Sequence, residues 1–509
     1  MEYDLVIYNG VIVNASTVIN PPAYIGIKKE KIACISTEPL NGKIMIDAEG
    51  GIITPGGIDA HVHVSQPCTS DTFDSATRSS ICGGTTSFIC FATQERGVES
   101  SIPDLKNYIK LAHGKSFCDY GMHMIVTDPT DQFLEEEMPV LVKDYGITSV
   151  KVYMTYEIWS VSDKQILKVL LMGRKLGVTT MIHAENNDII EYLIEKFEKA
   201  GTTQPFFHSA SRPLVCEDEA SYRAISLANM VDQALLIVHM STSESMKHVH
   251  DAQTKNCPIY SETCPQYLFL TSEYLKSHIN SNYSEGSVID DGLHINVDKN
   301  DSFQGAKYIC SPPIRDSQDE LQGIWQAVEN GTVTIYSSDH SPCNYDDRKG
   351  KKKGLKTDGT MDFAVVPNGL PGVETRLPLL FCYGVETGRI SPQKFVEVSC
   401  TNPASLYGMS SFKGSIDIGL DADIIIWYPK NKIKPFQLTN RMLHHDIDHT
   451  PFEGMTFTNW PRYSILRGKI IWDRDHGGLN ESKPKGKFLK RGKSTFTLNK
   501  NKAPPKYFD

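Results

Sequence analysis

The chain has 509 residues, more than one ordinary domain, so a large unit with a smaller accessory one is expected. Hydrophobic residues make up 40% and charged residues 22%, a composition that excludes extensive disorder. A formal charge of −9 over this length excludes the strongly basic surface that nucleic acid requires.

The opening residues, MEYDLVIYNGVIVNAS, carry acidic side chains where a signal peptide would be basic and then apolar. No run approaches the ~18 apolar residues that span a bilayer. A cytoplasmic protein with no membrane partner is expected. The 12 cysteines are scattered and form no C-x-x-C pair, so they read as reduced thiols, several of them buried.

Residues 1–53 hold short alternating segments, DLVIYNGVIV, AYIGIKKEKIACIS and KIMIDAEGGIITPG, broken by turn residues. The same texture returns within 409–475, in KGSIDIGLDADIIIWYP and YSILRGKIIWDRD. Both ends of the chain are therefore expected to build one small β-sandwich domain.

Residues 54–408 have another rhythm. Eight apolar runs of strand length recur: GIDAHVHV, TTSFICF, GMHMIVT, SVKVYM, TTMIHA, LLIVHM, PIYSE and TVTIYSSD. Most are separated by helical patterns such as SDKQILKVLLMGRKLG. Apolar strands alternating with helices predict an α/β fold with a parallel sheet, and eight units predict a (β/α)8 TIM barrel. A doubly wound open sheet is the structural alternative, weakened because no G-x-G-x-x-G opens a helix after the first strand.

Two stretches fit no strand–helix unit. Asn280 to Ser302 is polar and reads as a long loop. Asp346 to Thr360 is basic, with Arg348, Lys349, Lys351, Lys352, Lys353 and Lys356, and reads as a solvated surface excursion ahead of an anion site. Residues 476–509 are rich in Lys and Pro and are expected to reach across a subunit interface.

His61 and His63 are two apart on the first barrel strand, so both imidazoles share one face and can point into the barrel. Neutral imidazole is a good zinc ligand, yet an H-x-H pair alone is weak evidence. Similar residues recur at the carboxyl ends of other strands: Lys151 in SVKVYM, His183 in TTMIHA, His239 in LLIVHM and Asp339 in TIYSSD. That rim is where barrel enzymes place their active sites, and together the six residues make a metal site. An ammonium at Lys151, facing cations in an apolar barrel, would be badly destabilised. A neutral amine could instead take up carbon dioxide as a bridging carbamate; a lysine paired with a buried carboxylate is the other reading.

These residues, with ITPGGIDAHVHV, GGTT, VKVYMTY, HAEN, SRP, ETCPQYL, CSPPIR, SSDHSP, PNGLPGVETR, TNPA and GSIDIGLDADIIIW, resemble the cyclic-amidohydrolase branch of the amidohydrolase superfamily. Within it they are most similar to dihydropyrimidinases and hydantoinases, and TPFEGMTFTNWPRY and LKRGKS resemble fungal dihydropyrimidinases. The resemblance implies two zinc ions. His61, His63 and Asp339 would bind one, His183 and His239 the other, with N6-carboxylated Lys151 and a hydroxide bridging them. It further implies hydroxide attack on a cyclic amide, with Asp339 moving the proton and Tyr156 donating to the oxyanion. Ser311 and Asn368 would hold the ring amides, mainly through backbone groups.

The implied reaction is the opening of 5,6-dihydrouracil and dihydrothymine to N-carbamoyl-β-amino acids, by a homotetramer whose partner is a small cyclic ureide. A hydantoinase or allantoinase acting on five-membered ureides is the nearer alternative. The remote one is a non-catalytic scaffold resembling the collapsin-response mediators, which lack the metal ligands that this chain keeps.

Overall fold

The computed structural model describes residues 2–67, 69–276, 303–480 and 485–496. The polar stretch Asn280 to Ser302 therefore lies outside the described residues. All eight predicted barrel strands are present and form one parallel sheet in chain order: Gly57–Val62, Thr85–Thr93, Asp119–Ile125, Ser149–Tyr153, Thr179–His183, Leu235–Ile237, Ile259–Thr263 and Ile335–Tyr336. A parallel bridge between Val62 and His340, with His63 N donating to His340 O at 2.7 Å, joins the last strand to the first. The sheet closes into a barrel, and the open-sheet alternative is excluded.

Helices cover the barrel where the pattern placed them. Asp163–Leu176 starts at a reciprocal cap between Ser162 and Gln165 and stops at Gly177, whose φ of 73° suits a residue without a Cβ. Its Ile166, Val169 and Leu170 are buried on one face at helical spacing.

The two chain ends meet as expected. A seven-stranded sheet interleaves Ile52–Pro55 and Val11–Val13 from the beginning with Ile424–Trp427, Pro461–Leu466 and Lys469–Asp473 from the end. A four-stranded sheet of Tyr3–Tyr8, Tyr24–Lys28, Lys31–Ser36 and Gly42–Asp47 packs on it through a separate apolar core that includes Ile7, Ile25, Ile53, Ile424 and Ile465.

The stretch 485–496, expected at a subunit interface, lies along the amino ends of its own barrel strands. Leu489 N donates to Tyr120 O at 2.8 Å and Gly492 N to Gly408 O at 2.9 Å. Residues 497–509 are outside the described residues. No helix among the described residues is long and apolar enough to cross a membrane.

Candidate metal centre and active site

The four histidines, Lys151 and Asp339 are all buried and converge at the carboxyl ends of their strands. His61 Nε2 lies 2.8 Å from Lys151 Nζ and 3.2 Å from Asp339 Oδ1, and His63 Nε2 is 3.7 Å from the same oxygen. The rings of His183 and His239 meet with centres 4.4 Å apart. Donor atoms of His61, His239 and Asp339 all fall within 4.8 Å of one another. Every sequence-predicted metal ligand is thus in one cluster.

Three of the four imidazoles are turned by a side chain on their outer edge. Glu262 Oε1 sits 2.6 Å from His61 Nδ1, Gln66 Oε1 2.9 Å from His63 Nδ1, and Glu185 Oε2 2.6 Å from His183 Nε2. The opposite nitrogen of each ring is left to face inward, as in metal sites whose ligands are oriented from behind. His239 Nδ1 is buried without a hydrogen-bond partner among the described residues. An orphaned imidazole nitrogen inside a protein is costly unless a cation takes its lone pair.

Electrostatics favour the same assignment. Burial holds His61 and His239 well below the usual imidazole range, lowers His183, and brings His63 to about 3, with the Lys151 charge adding to each. Neutral imidazoles are the ligating form. Burial also pulls Lys151 down to about 8, against the opposing charges of Asp339 and Glu262. Its Nζ stands 4.8 Å from the ring centres of both Phe91 and Tyr153, and among the described residues it forms no ion pair. Asp339 is pushed up to about 7 by burial, with Lys151 pulling the other way.

A cavity of about 460 Å³ opens over this cluster, with Tyr156, Ser311 and Asn368 in its wall. Asn368 Nδ2 donates to the Tyr156 hydroxyl at 3.2 Å, and Ser311 also contacts that hydroxyl. Burial raises the phenol's pKa, so Tyr156 stays a hydrogen-bond donor. Its φ is 66°, and His239 and Asp339 share the left-handed region at 40° and 49°. Such backbone costs about 1–3 kcal/mol per residue and persists where surrounding packing imposes it. The loop carrying Asn368 runs so close to the last strand that a Cβ on Gly369 would lie 2.1 Å from Ser341 O. Only glycine fits there.

Residues 52–471 match the Amidohydrolase family. The chain belongs to that family. It is 38% identical to D-hydantoinase of Ralstonia pickettii over 495 residues, which covers 96% of this chain and 99% of the relative. A solved D-hydantoinase structure superposes with a TM-score of 0.85 at 38% identity, covering 96% and 99% of the two chains. The dihydropyrimidinase of Brevibacillus agri NCHU1002 gives 0.84 at 33% identity, with the same coverage. The family resemblance read from the motifs is borne out, and the protein is an enzyme of the hydantoinase and dihydropyrimidinase type.

Sequence reasoning missed the residues that stand behind the ligands. Glu262 lies at the carboxyl end of its strand and Glu185 two residues beyond the end of Thr179–His183, and a carboxylate at such a strand end was the available signal. Arg212, which donates to Glu185 Oε2 at 2.8 Å with its guanidinium 5.4 Å from the Tyr156 ring centre, lies in a loop with no periodicity to betray it. The basic loop is not wholly a surface excursion, because Lys351 within it is fully buried.

Proposed function

We propose that this enzyme opens six-membered cyclic ureides, 5,6-dihydrouracil and dihydrothymine, at a binuclear zinc site. The reading is carried by the placement of Lys151, a fully buried amine with depressed pKa, 2.8 Å from His61 Nε2 and without a carboxylate partner among the described residues. A neutral amine adds carbon dioxide at nitrogen and releases one proton, giving a carbamate. The carbamate would be an anionic ligand beside His61, His63, His183, His239 and Asp339, the residues that would hold the metal ions. Two divalent ions held there supply Lewis-acid polarisation of the amide carbonyl and an acidified water at neutral pH.

The chain's own residues complete the reaction. Asp339, buried beside His61 and His63, is placed to take the proton of the attacking water and return it to the leaving ring nitrogen. Tyr156 donates its hydroxyl to the carbonyl oxygen as that oxygen gains charge. Ser311 and Asn368 hold the ring amide across the cavity. The reaction then breaks one carbon–nitrogen bond and forms one carbon–oxygen bond, with no net oxidation.

A second reading has an observation in its favour. Ile158, Trp159 and Val365 line the cavity, and Ile158 is 69% exposed, so the mouth is apolar. An apolar mouth suits a five-membered hydantoin with a hydrophobic substituent. Steady-state kinetics on dihydrouracil, a 5-aryl hydantoin and allantoin, run side by side, tests both. The leading reading expects the highest kcat/KM on dihydrouracil and loses to the second if the hydantoin wins.

A further inference from the structure

Lys351 is the one basic residue of the loop from Asp346 to Thr360 that is completely buried, and among the described residues it forms no ion pair. Its Nζ donates instead to two backbone carbonyls, Ile309 O and Pro367 O, each at 2.7 Å. Burial lowers this amine to about 8, with nearby Cys343 and Cys310 opposing. Burying an ammonium on two neutral carbonyls is a poor way to fasten a loop, since an uncharged side chain would avoid the desolvation cost.

What the two carbonyls adjoin gives the arrangement a use. Pro367 C=O belongs to the peptide group whose N–H is that of Asn368, and Ile309 lies two residues before Ser311. Gly369 N also donates to Ile309 O, at 3.2 Å, so the two cavity-wall segments meet at the lysine. A cation on a peptide oxygen draws electron density from the amide and strengthens its N–H as a donor. Asn368 also lines the cavity, and its Oδ1 is buried with no partner among the described residues.

We propose that Lys351 is a positioning residue for the cyclic-amide subsite, acting through the Ile309 and Pro367 carbonyls to set the spacing of Ser311 and Asn368. The proposal rests on the reading of this cavity as a cyclic-amide site. The side chain itself does not touch the ring; it holds the two segments that do.

The test uses full-length, metal-loaded Lys351→Met and Lys351→Gln. Losing the charged clamp in Lys351→Met raises KM for the preferred cyclic amide about tenfold or more, while kcat changes less. Lys351→Gln keeps amide donors for the carbonyls and recovers most of the KM; it also carries the test if the methionine variant does not fold. Backbone amide exchange over residues 366–372 speeds up in Lys351→Met and not in the barrel strand Thr179–His183. An unchanged KM in the folded variant, no recovery by glutamine, or unchanged exchange in 366–372 overturns the proposal. If the wild-type protein opens no cyclic amide, the functional reading fails, and the exchange measurement alone decides the role of Lys351.

Discussion

Oε1 of Glu262 lies 2.6 Å from Nδ1 of His61, and both side chains are wholly buried. The same oxygen accepts from His239 N at 3.1 Å, so one carboxyl group fixes two of the histidine-bearing strand ends. His61 is thereby turned with Nε2 toward Lys151 and Asp339.

Burial pushes Glu262 up to about 8, and Glu262→Gln keeps the shape while replacing the carboxyl group behind His61 with an amide. Metal affinity should fall about 10–100-fold, as it does when such outer partners of a ligating histidine are lost. Competition against a graded chelator measures this. Unchanged affinity would mean that Glu262 only fills space.

Tyr156→Phe removes one hydroxyl from the cavity wall. In the proposed mechanism that group donates where the carbonyl oxygen becomes charged, so kcat should drop roughly a hundredfold or more with KM little altered. A rise in KM at constant kcat would assign Tyr156 to ground-state binding instead.

At the opposite end of the barrel, Lys413 Nζ contacts Asp119 at 2.9 Å, Asp421 at 3.2 Å and Asp423 at 2.5 Å. Arg467 also pairs with Asp119. Lys413→Met leaves buried Asp423 without an ion-pair partner among the described residues, although Arg467 still pairs with Asp119 and Lys31 with Asp421, and should destabilise by about 3–5 kcal/mol at neutral pH.

The same cluster has a pH signature. Burial alone would raise Asp119, but the charges of Lys413 and Arg467 hold it below its usual value. A depressed carboxyl stabilises the fold above its unfolded pKa of 3.8, and that contribution is lost as pH falls below it. The Asp119 contribution to wild-type thermal stability should therefore be lost below about pH 4, partly offset by Asp423, which burial pushes up, and the profile of Lys413→Met should be flatter there. Parallel profiles would show that Lys413 does not set the state of Asp119.

Much of the fold was legible because parallel barrel strands, buried on both faces, appear as apolar runs, and all eight did. The six proposed ligands were legible for the converse reason: His183, His239 and Asp339 interrupt such runs at their carboxyl ends, where nothing in packing calls for them. Glu262 interrupts its run in the same way, but carboxylates are common at strand ends and it passed unnoticed. Lys351 was hidden among neighbouring lysines, since charge patterning cannot tell one buried ammonium from exposed ones. The tail, 476–509, looked too polar to pack alone, yet its stretch 485–496 does lie on the barrel. It packs by backbone hydrogen bonds and by the buried Arg491, which donates to Met122 O at 2.5 Å, and side-chain polarity does not report either contact.

The most direct test of a binuclear metal hydrolase is metal content and dihydrouracil hydrolysis on one preparation, before and after exhaustive chelation. We expect about two divalent ions per chain, loss of ring opening with their removal, and its return on adding zinc. Full activity in metal-free protein would contradict the central claim.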